Sequence, residues 1–151
     1  IASSLGNLGN TYLSKGEFDK AIQYQKESLA MKRTIHGNHP HLKIASSLGN
    51  LGNTYGSKGE FDKAIQYHNE SLAMQRTIHG YHPHPDIASS LGNLGNTYDN
   101  KGKFDKAIQY HNENLAMQRT IHGNHPHPDI ASSLGNLGNT YHSKGEFDKA
   151  I

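Results

Sequence analysis

The chain has no cysteine and no tryptophan among its 151 residues. Disulfide frameworks and thiol chemistry are therefore excluded, and the composition suits a reducing compartment, so we expect a cytoplasmic location. No apolar run approaches the ~20 residues that a membrane span needs, so we expect no membrane partner. The formal net charge is only +2, and acids and bases alternate without a polybasic stretch. Nucleic acid is therefore a poor candidate partner.

What the sequence does contain is a repeat of 43 residues. The segment Ile-Ala-Ser-Ser-Leu-Gly-Asn-Leu-Gly-Asn-Thr-Tyr begins at Ile1, Ile44, Ile87 and Ile130. This gives repeat 1 (1–43), repeat 2 (44–86), repeat 3 (87–129) and a partial repeat 4 (130–151). Such a period is typical of stacked arrays in which each repeat contacts only its neighbours. We therefore expect residues 1–151 to form one elongated array without a single central core.

The apolar residues of each repeat predict two helices. Ile1, Leu5, Leu8 and Tyr12 share one helical face, and Gly16 follows where a left-handed residue would end the helix. A longer second helix is predicted from Phe18 to a stop at Gly37. Repeat 4 is expected to end its first helix at Gly145 and to begin a second at Phe147.

Glycines within the first helix predict a close approach between the two helices. Gly9 lies on the apolar face, where a second helix that presents Ala21 and Ser28 can come near. Gly6 is expected on the other side of the helix with Asn7 and Asn10. There it is either part of an exposed face or a place without a side chain where a ligand backbone can lie against the helix.

Repeat 1 carries Leu-x-x-Leu-Gly-x-x-Tyr from Leu5 to Tyr12, followed by Gly16, Phe18, Ala21 and Pro40. This pattern resembles the tetratricopeptide repeat, and it recurs over the whole chain. The repeat is longer than the usual ~34 residues, and its extended second helix and His-Pro linker are similar to the long-repeat variety in kinesin light chain. The resemblance implies an all-α fold, with antiparallel helix pairs coiled into a right-handed α-solenoid superhelix. It also implies that first helices line a concave groove that holds short peptides.

Paired asparagines are the candidate peptide-binding residues. They lie three residues apart on one face of each first helix, as Asn7 and Asn10, Asn50 and Asn53, Asn93 and Asn96, and Asn136 and Asn139. A carboxamide both donates and accepts hydrogen bonds, so a ladder of them can pair with the N–H and C=O groups of an extended peptide. In the resembled family, asparagines at these places contact peptide ligands. The alternative is that they cap turns or bond neighbouring helices.

Differences among the repeats indicate where specificity could lie. Repeats 1 and 2 differ at Leu13, Gln25, Lys26, Lys32, Asn38, Leu42 and Lys43 and their counterparts. The end of the first helix varies most, as Leu13, Gly56, Asp99 and His142. On the family's geometry this place borders the groove, although drift at an exposed helix end is the alternative. Some relatives clamp a terminal carboxylate with lysine and arginine, but Ser3, Gly6, Asn7 and Asn10 repeat without a base, so we do not expect that activity.

Nine of the twelve histidines lie in the three linkers, as His36, His39 and His41; His79, His82 and His84; and His122, His125 and His127. Three imidazoles could hold Zn²⁺ or Ni²⁺, yet each has a simpler role as a helix-end partner, a turn residue before proline, or an N-cap. We therefore expect no metal site. His68 and His111, which replace Gln25, are expected to be packing or surface residues.

The first linker ends in Leu42-Lys43 where the others have Pro-Asp. Its lysine opposes the helix dipole, so this junction is expected to be the weakest.

Catalysis needs unlike groups that converge in one pocket, whereas this sequence presents the same groups again and again in a line. We expect no enzymatic activity and no cofactor. The interpretation is a protein-protein interaction scaffold that binds a peptide or protein ligand. The alternative is a structural array that associates head to tail, because neither end shows a polar capping repeat. A designed or recently duplicated sequence without an evolved ligand would carry the same pattern.

Overall fold

The computed structural model describes residues 1–150, and this part of the chain consists of seven helices with no strand. The first helices of the repeats are α1 (Ala2–Ser14), α3 (Leu42–Lys58), α5 (Pro85–Asn100) and α7 (Pro128–Ala150). The second helices are α2 (Phe18–His36), α4 (Phe61–His79) and α6 (Phe104–His122). No helix within the described range is long and apolar enough to cross a membrane. The all-α fold class that the family resemblance implied is confirmed.

Each second helix packs antiparallel to the first helix that precedes it. In the first pair, Ser28 Oγ in the middle of α2 donates to the carbonyl of Ala2 at the start of α1, at 2.7 Å. Near the opposite end, the rings of Tyr12 and Tyr24 stack with centroids 5.4 Å apart. The stack recurs in the next two pairs, as Tyr55 with Tyr67 and Tyr98 with Tyr110. The same residues therefore hold each pair in the same register.

A glycine makes the turn between the two helices of each complete pair. Gly16, Gly59 and Gly102 have φ values of 77°, 89° and 85°. L-amino acids with a side chain rarely adopt this left-handed region, so the turn needs glycine. The helix stop predicted at Gly16 is confirmed by this conformation.

The chain forms two compact units, Ile1–Gly80 and Tyr81–Ile151, which we call the N-terminal and C-terminal units. In the N-terminal unit α3 packs against both α2 and α4. Its residues Ile44, Leu48 and Leu51 are at most 1% exposed. Since burial of one large aliphatic side chain contributes about 1.5–3 kcal/mol, α3 provides the centre of this unit's core.

In the C-terminal unit α6 packs against both α5 and α7. Leu91 and Leu94 on α5 and Leu115 on α6 are buried. The unit thus repeats the packing of a second helix against the first helices on either side. The organisation of both units as one array, with boundaries every 43 residues, stays a prediction from the sequence.

Glycines of the first helices lie directly against the second helices. A Cβ atom at Gly52 would lie 2.7 Å from the His68 ring, and one at Gly95 would lie 2.6 Å from the His111 ring. These distances are too short for a real Cβ, so the close approach predicted for this position occurs. A Cβ at Gly6 would lie 3.4 Å from Ser28 Oγ of α2. Gly6 also lines a groove together with Asn10, and its role as a place for a ligand backbone stays a prediction. Gly6 faces the second helix because a spacing of three residues places it above Gly9 on the same face.

Linker histidines are the N-cap residues of first helices. Nδ1 of His41 accepts a hydrogen bond from the backbone N–H of Lys43 at 3.0 Å. His127 accepts from the N–H of Asp129 in the same way, at 3.1 Å. Each bond satisfies an N–H group that the helix itself leaves without a partner. The N-cap role expected for these histidines is therefore present.

Helix α7 differs from the expectation for repeat 4. It continues through Gly145 to Ala150, so the predicted stop at Gly145 and the new helix at Phe147 are wrong for the described residues. In the earlier repeats the turn is held by a second helix whose apolar face docks on the first. The described residues after Gly145 offer one large apolar side chain, and Phe147 packs edge-on against Phe104 at 5.7 Å instead.

Candidate functional site

A polar groove of about 200 Å³ lies in the C-terminal unit. Three helices contribute to it: α5 with Ala88, Ser89, Gly92, Asn93 and Asn96; α6 with Asn114 and Gln118; and α7 with Asp129, Ser132, Ser133 and Asn136. The side chains are short hydroxyls and amides on helices that the core holds in place. We call this the C-terminal groove. It offers many hydrogen-bonding groups and a single charged one, Asp129.

The N-terminal unit has a counterpart at equivalent positions, which we call the N-terminal groove. It is lined by Gly6, Asn10, Gln25, Ser28, Lys32, Ser47 and Asn50. Its volume is only about 20 Å³, room for about one water molecule. Nζ of Lys32 donates to Ser47 Oγ at 2.8 Å and so links α2 to α3 at this groove.

The grooves bring together five of the eight predicted asparagines: Asn10, Asn50, Asn93, Asn96 and Asn136. The remaining three, Asn7, Asn53 and Asn139, are exposed and lie outside these two grooves. Because a peptide that occupied the C-terminal groove would lie beside amides from α5 and α7, the arrangement suits backbone hydrogen bonding.

One groove asparagine also bonds a neighbouring helix, which was the alternative interpretation of these residues. Asn10 Oδ1 accepts from Gln25 Nε2 at 3.3 Å, and Gln25 Oε1 accepts from Thr54 Oγ1 at 2.9 Å. Gln25 thus joins three helices of the N-terminal unit. Asn10 is occupied by a structural contact as well as lining the groove.

Histidine replaces this glutamine in the C-terminal unit, and the bonds are lost. Neither ring nitrogen of His111 has a hydrogen-bond partner within the described part of the chain, and Thr140 Oγ1, the counterpart of Thr54, has none either. Burial lowers the pKa of His111, although the nearby carboxylate of Asp99 acts in the opposite direction. Asn96 therefore has no bond from this ring and faces the groove.

The four positions expected at the groove edge are absent from the lining of both grooves. Leu13, Gly56 and Asp99 are half-buried, and His142 is exposed. A Cβ at Gly56 would lie 3.9 Å from the Cβ of Ala64. This position thus points toward the second helix of its own pair, and its role in specificity stays a prediction.

Two groove residues were not singled out from the sequence as ligand-binding candidates. Lys32 is a long side chain of a second helix that reaches the groove between first helices. Asn114 is 6% exposed and stands where the other repeats have Ser28 and Ser71. The signal available in the sequence was that both positions differ among nearly identical repeats.

The last linker brings His122, His127 and Asp129 together, with ligand atoms within 4.8 Å of one another. The two imidazole rings are stacked, with centroids 3.5 Å apart and planes 11° from parallel. Their in-plane lone pairs therefore run side by side rather than toward one point, and His127 Nδ1 is engaged in the N-cap bond. Helix capping thus accounts for the position of the His127 ring, and the expectation of no metal site stays a prediction.

Antiparallel helix pairs, repeated in register and with short polar side chains on the first helices, define a helical repeat protein with polar grooves. The family model of the tetratricopeptide repeat matches residues 1–77 and 86–151. The chain belongs to the tetratricopeptide repeat family, as the sequence pattern predicted. Repeats of this family generally mediate protein–protein interactions. No match was found among curated proteins.

Solved structures show the same fold over nearly all of the chain. BtubC (BKLC) from P. vanneervenii is 27% identical with a TM-score of 0.84, and the match covers 99% of this chain and 58% of that one. A putative kinesin light chain of Podosopora anserina with nearly identical TPR-like repeats is 19% identical, with a TM-score of 0.77 and coverage of 99% and 69%. The TPR2AB domain of yeast Sti1, solved as a pHSP90 complex, is 24% identical, with a TM-score of 0.69 and coverage of 99% and 48%. The chain thus spans little more than half the length of BtubC.

Proposed function

We propose that this protein is a non-enzymatic interaction scaffold that binds an extended peptide segment in the C-terminal groove. The observation that carries the proposal is the meeting of Asn93, Asn96 and Asn136 around one open groove of about 200 Å³. Amides from two helices can pair with the N–H and C=O groups of an extended chain. The pHSP90 complex of a structurally similar protein supports peptide binding by this fold. The cytoplasmic location expected from the sequence stays a prediction.

The test compares two triple alanine variants on an array of extended peptides. Asn93→Ala/Asn96→Ala/Asn136→Ala removes the groove amides, while Asn7→Ala/Asn53→Ala/Asn139→Ala removes the asparagines outside the two grooves. Three lost hydrogen bonds at ~0.5–1.5 kcal/mol each correspond to a loss of about 10-fold or more in affinity for the first variant. The second variant is expected to bind as the wild type does.

Backbone recognition has its own test. A bound peptide should lose affinity when the amide N–H groups that face the groove are methylated, because the carboxamide oxygens then lose their donors. If both triple variants lose the same peptide affinity, or if methylation of the peptide does not change its affinity, the asparagines of the C-terminal groove do not bind the peptide backbone.

Self-association is a second candidate function, and the exposure of α1 and α7 favours it. Leu134 and Tyr141 on α7 are 46% and 56% exposed, whereas the equivalent Leu48 and Tyr55 on α3 are 1% and 4% exposed. Ile1, the N-cap residue of α1, is 87% exposed. We propose that the apolar face of α7 packs against α1 of a second copy in a head-to-tail contact.

Sedimentation over a range of concentrations tests this contact. The wild type is expected to form larger species as concentration rises, and Leu134→Asn/Tyr141→Ser is expected to stay monomeric. Tyr81→Ser removes an aromatic side chain that is 91% exposed in a linker, and it serves as the control. A wild type that stays monomeric at high concentration would exclude self-association.

A further inference from the structure

The C-terminal groove contains a buried acceptor without a donor. Oδ1 of Asn114 has almost no accessible surface and no hydrogen-bond partner in the range that the structure describes. The serines that occupy this place in the other repeats are satisfied, since Ser28 donates to the carbonyl of Ala2 and Ser71 donates to that of Ala45, at 2.7 and 2.8 Å. A buried acceptor without a donor destabilises the folded protein, because it has lost its hydrogen bonds to water without replacement. A ligand that donates a hydrogen bond there would recover that energy.

The charge in and beside the two grooves differs at equivalent positions. Where the N-terminal groove has Lys32, the C-terminal groove has Gln118. Burial lowers the pKa of Lys32, and the nearby charge of Lys43 lowers it further. The residue equivalent to Lys43 in repeat 3 is Asp129. The C-terminal groove therefore carries one carboxylate and no cation among its lining residues. Oδ2 of this carboxylate lies 3.1 Å from His122 Nε2, so Oδ1 is the oxygen that a ligand would meet.

The other residues that line the groove provide hydrogen-bond acceptors in addition to the Asp129 carboxylate. The amides of Asn93, Asn96 and Asn136 each have an oxygen, and the volume of about 200 Å³ far exceeds the ~30 Å³ of one water. A lysine ammonium has three donors and no acceptor, and it is a compact charge on a thin stem.

We propose that the C-terminal groove binds the ammonium group of a lysine side chain of its peptide ligand, between the Asn114 amide and the Asp129 carboxylate. This inference rests on the proposed function, because it assigns the side chain that accompanies a peptide backbone in this groove. Charge-assisted hydrogen bonds to the carboxylate would give the site its preference. The N-terminal groove, with its lysine, would reject the same side chain.

The test uses short, blocked peptides of glycine, serine and asparagine with one central lysine, norleucine or glutamate. Binding is measured by fluorescence anisotropy at low salt and at about pH 8, where imidazoles as a class are neutral. The wild type is expected to bind the lysine peptide about 10-fold more tightly than the norleucine peptide, which corresponds to about 1.4 kcal/mol. The glutamate peptide is expected to bind most weakly.

Variants taken from the chain's own repeats locate the effect. Asn114→Ser restores the residue of the other repeats, and it is expected to abolish most of the lysine preference with an unchanged circular dichroism spectrum. Asn112→Ser, on the exposed side of the same helix, is the matched control. Asp129→Lys, which copies Lys43, is expected to reverse the preference in favour of glutamate.

The outcomes separate this inference from the proposed function. If the peptides bind without preference for lysine, or if the preference survives both Asn114→Ser and Asp129→Lys, the inference is wrong and peptide binding stands. If none of the peptides binds, both proposals fall.

Discussion

Acidification is expected to destabilise the N-terminal unit through His68. This side chain is 2% exposed, and its burial lowers the imidazole pKa from 6.5 to about 4. In the unfolded chain the ring takes up a proton near pH 6.5, so the unfolded state binds more protons between about pH 6.5 and 4. The contribution of neutral His68 to the free energy of unfolding is therefore fully present above pH 6.5, and it decreases as the pH falls toward 4. The loss is about 2 kcal/mol at pH 5 and about 3 kcal/mol below pH 4.

The variant His68→Gln provides the test, because the chain itself places Gln25 at this position in repeat 1. Glutamine does not titrate, so the variant should lack this part of the pH dependence. Urea unfolding followed by circular dichroism at neutral pH and at about pH 5 is expected to show wild type losing about 2 kcal/mol more than the variant.

His111→Gln should also reduce the loss of stability on acidification, since burial lowers the pKa of His111 as it does that of His68. It should in addition stabilise the C-terminal unit at neutral pH. The new amide can bond Asn96 and Thr140 as Gln25 bonds its neighbours, at ~0.5–1.5 kcal/mol for each bond. The reasoning on both histidines is refuted if wild type and the His68→Gln variant lose equal stability on acidification. A nuclear magnetic resonance titration that places His68 near pH 6.5 in the folded protein would refute it as well.

Three further changes are expected to follow from packing and charge. Gly52→Ala should destabilise by about 1–3 kcal/mol in urea unfolding, because its Cβ would press on the His68 ring. Gly138→Ala, at the same position of repeat 4, should instead stabilise by up to ~1 kcal/mol through helix propensity, since a Cβ there meets nothing within 4 Å. Lys43→Asp should raise the melting temperature by about 1–4 °C in calorimetry, because it favours the dipole of α3 and removes repulsion of Lys32. A melting temperature that does not rise would contradict the prediction that this junction is weak.

The helix pairs could be predicted from the sequence because they rest on local signals. Leu5, Leu8 and Tyr12 repeat at helical spacing, and Gly16 has the φ of 77° that its place in the pattern implied. The same signal failed at Gly145, which lies within α7. Glycine permits a turn without imposing one, and the docking of a complete second helix decides whether the turn forms.

The site could be predicted less completely, because the grooves depend on which side chains reach across from another helix. Helical spacing placed the asparagines on one face, and five of them do line grooves. Spacing within α2 carries no information on how far Lys32 extends toward α3, nor does spacing within α6 reveal the neighbours of Asn114. These contacts arise from the packing of helices that are distant in sequence.

Near identity of the repeats makes their few differences more informative than their shared residues. A residue present in every repeat gives every groove the same chemistry, so the proposed contacts of the asparagines with a peptide backbone would not distinguish one ligand from another. The exchanges Lys32 to Gln118 and Ser28 to Asn114 both lie at residues that line the grooves. If the proposed amide contacts hold an extended chain, the local exchange of charge would give the two grooves different ligand preferences.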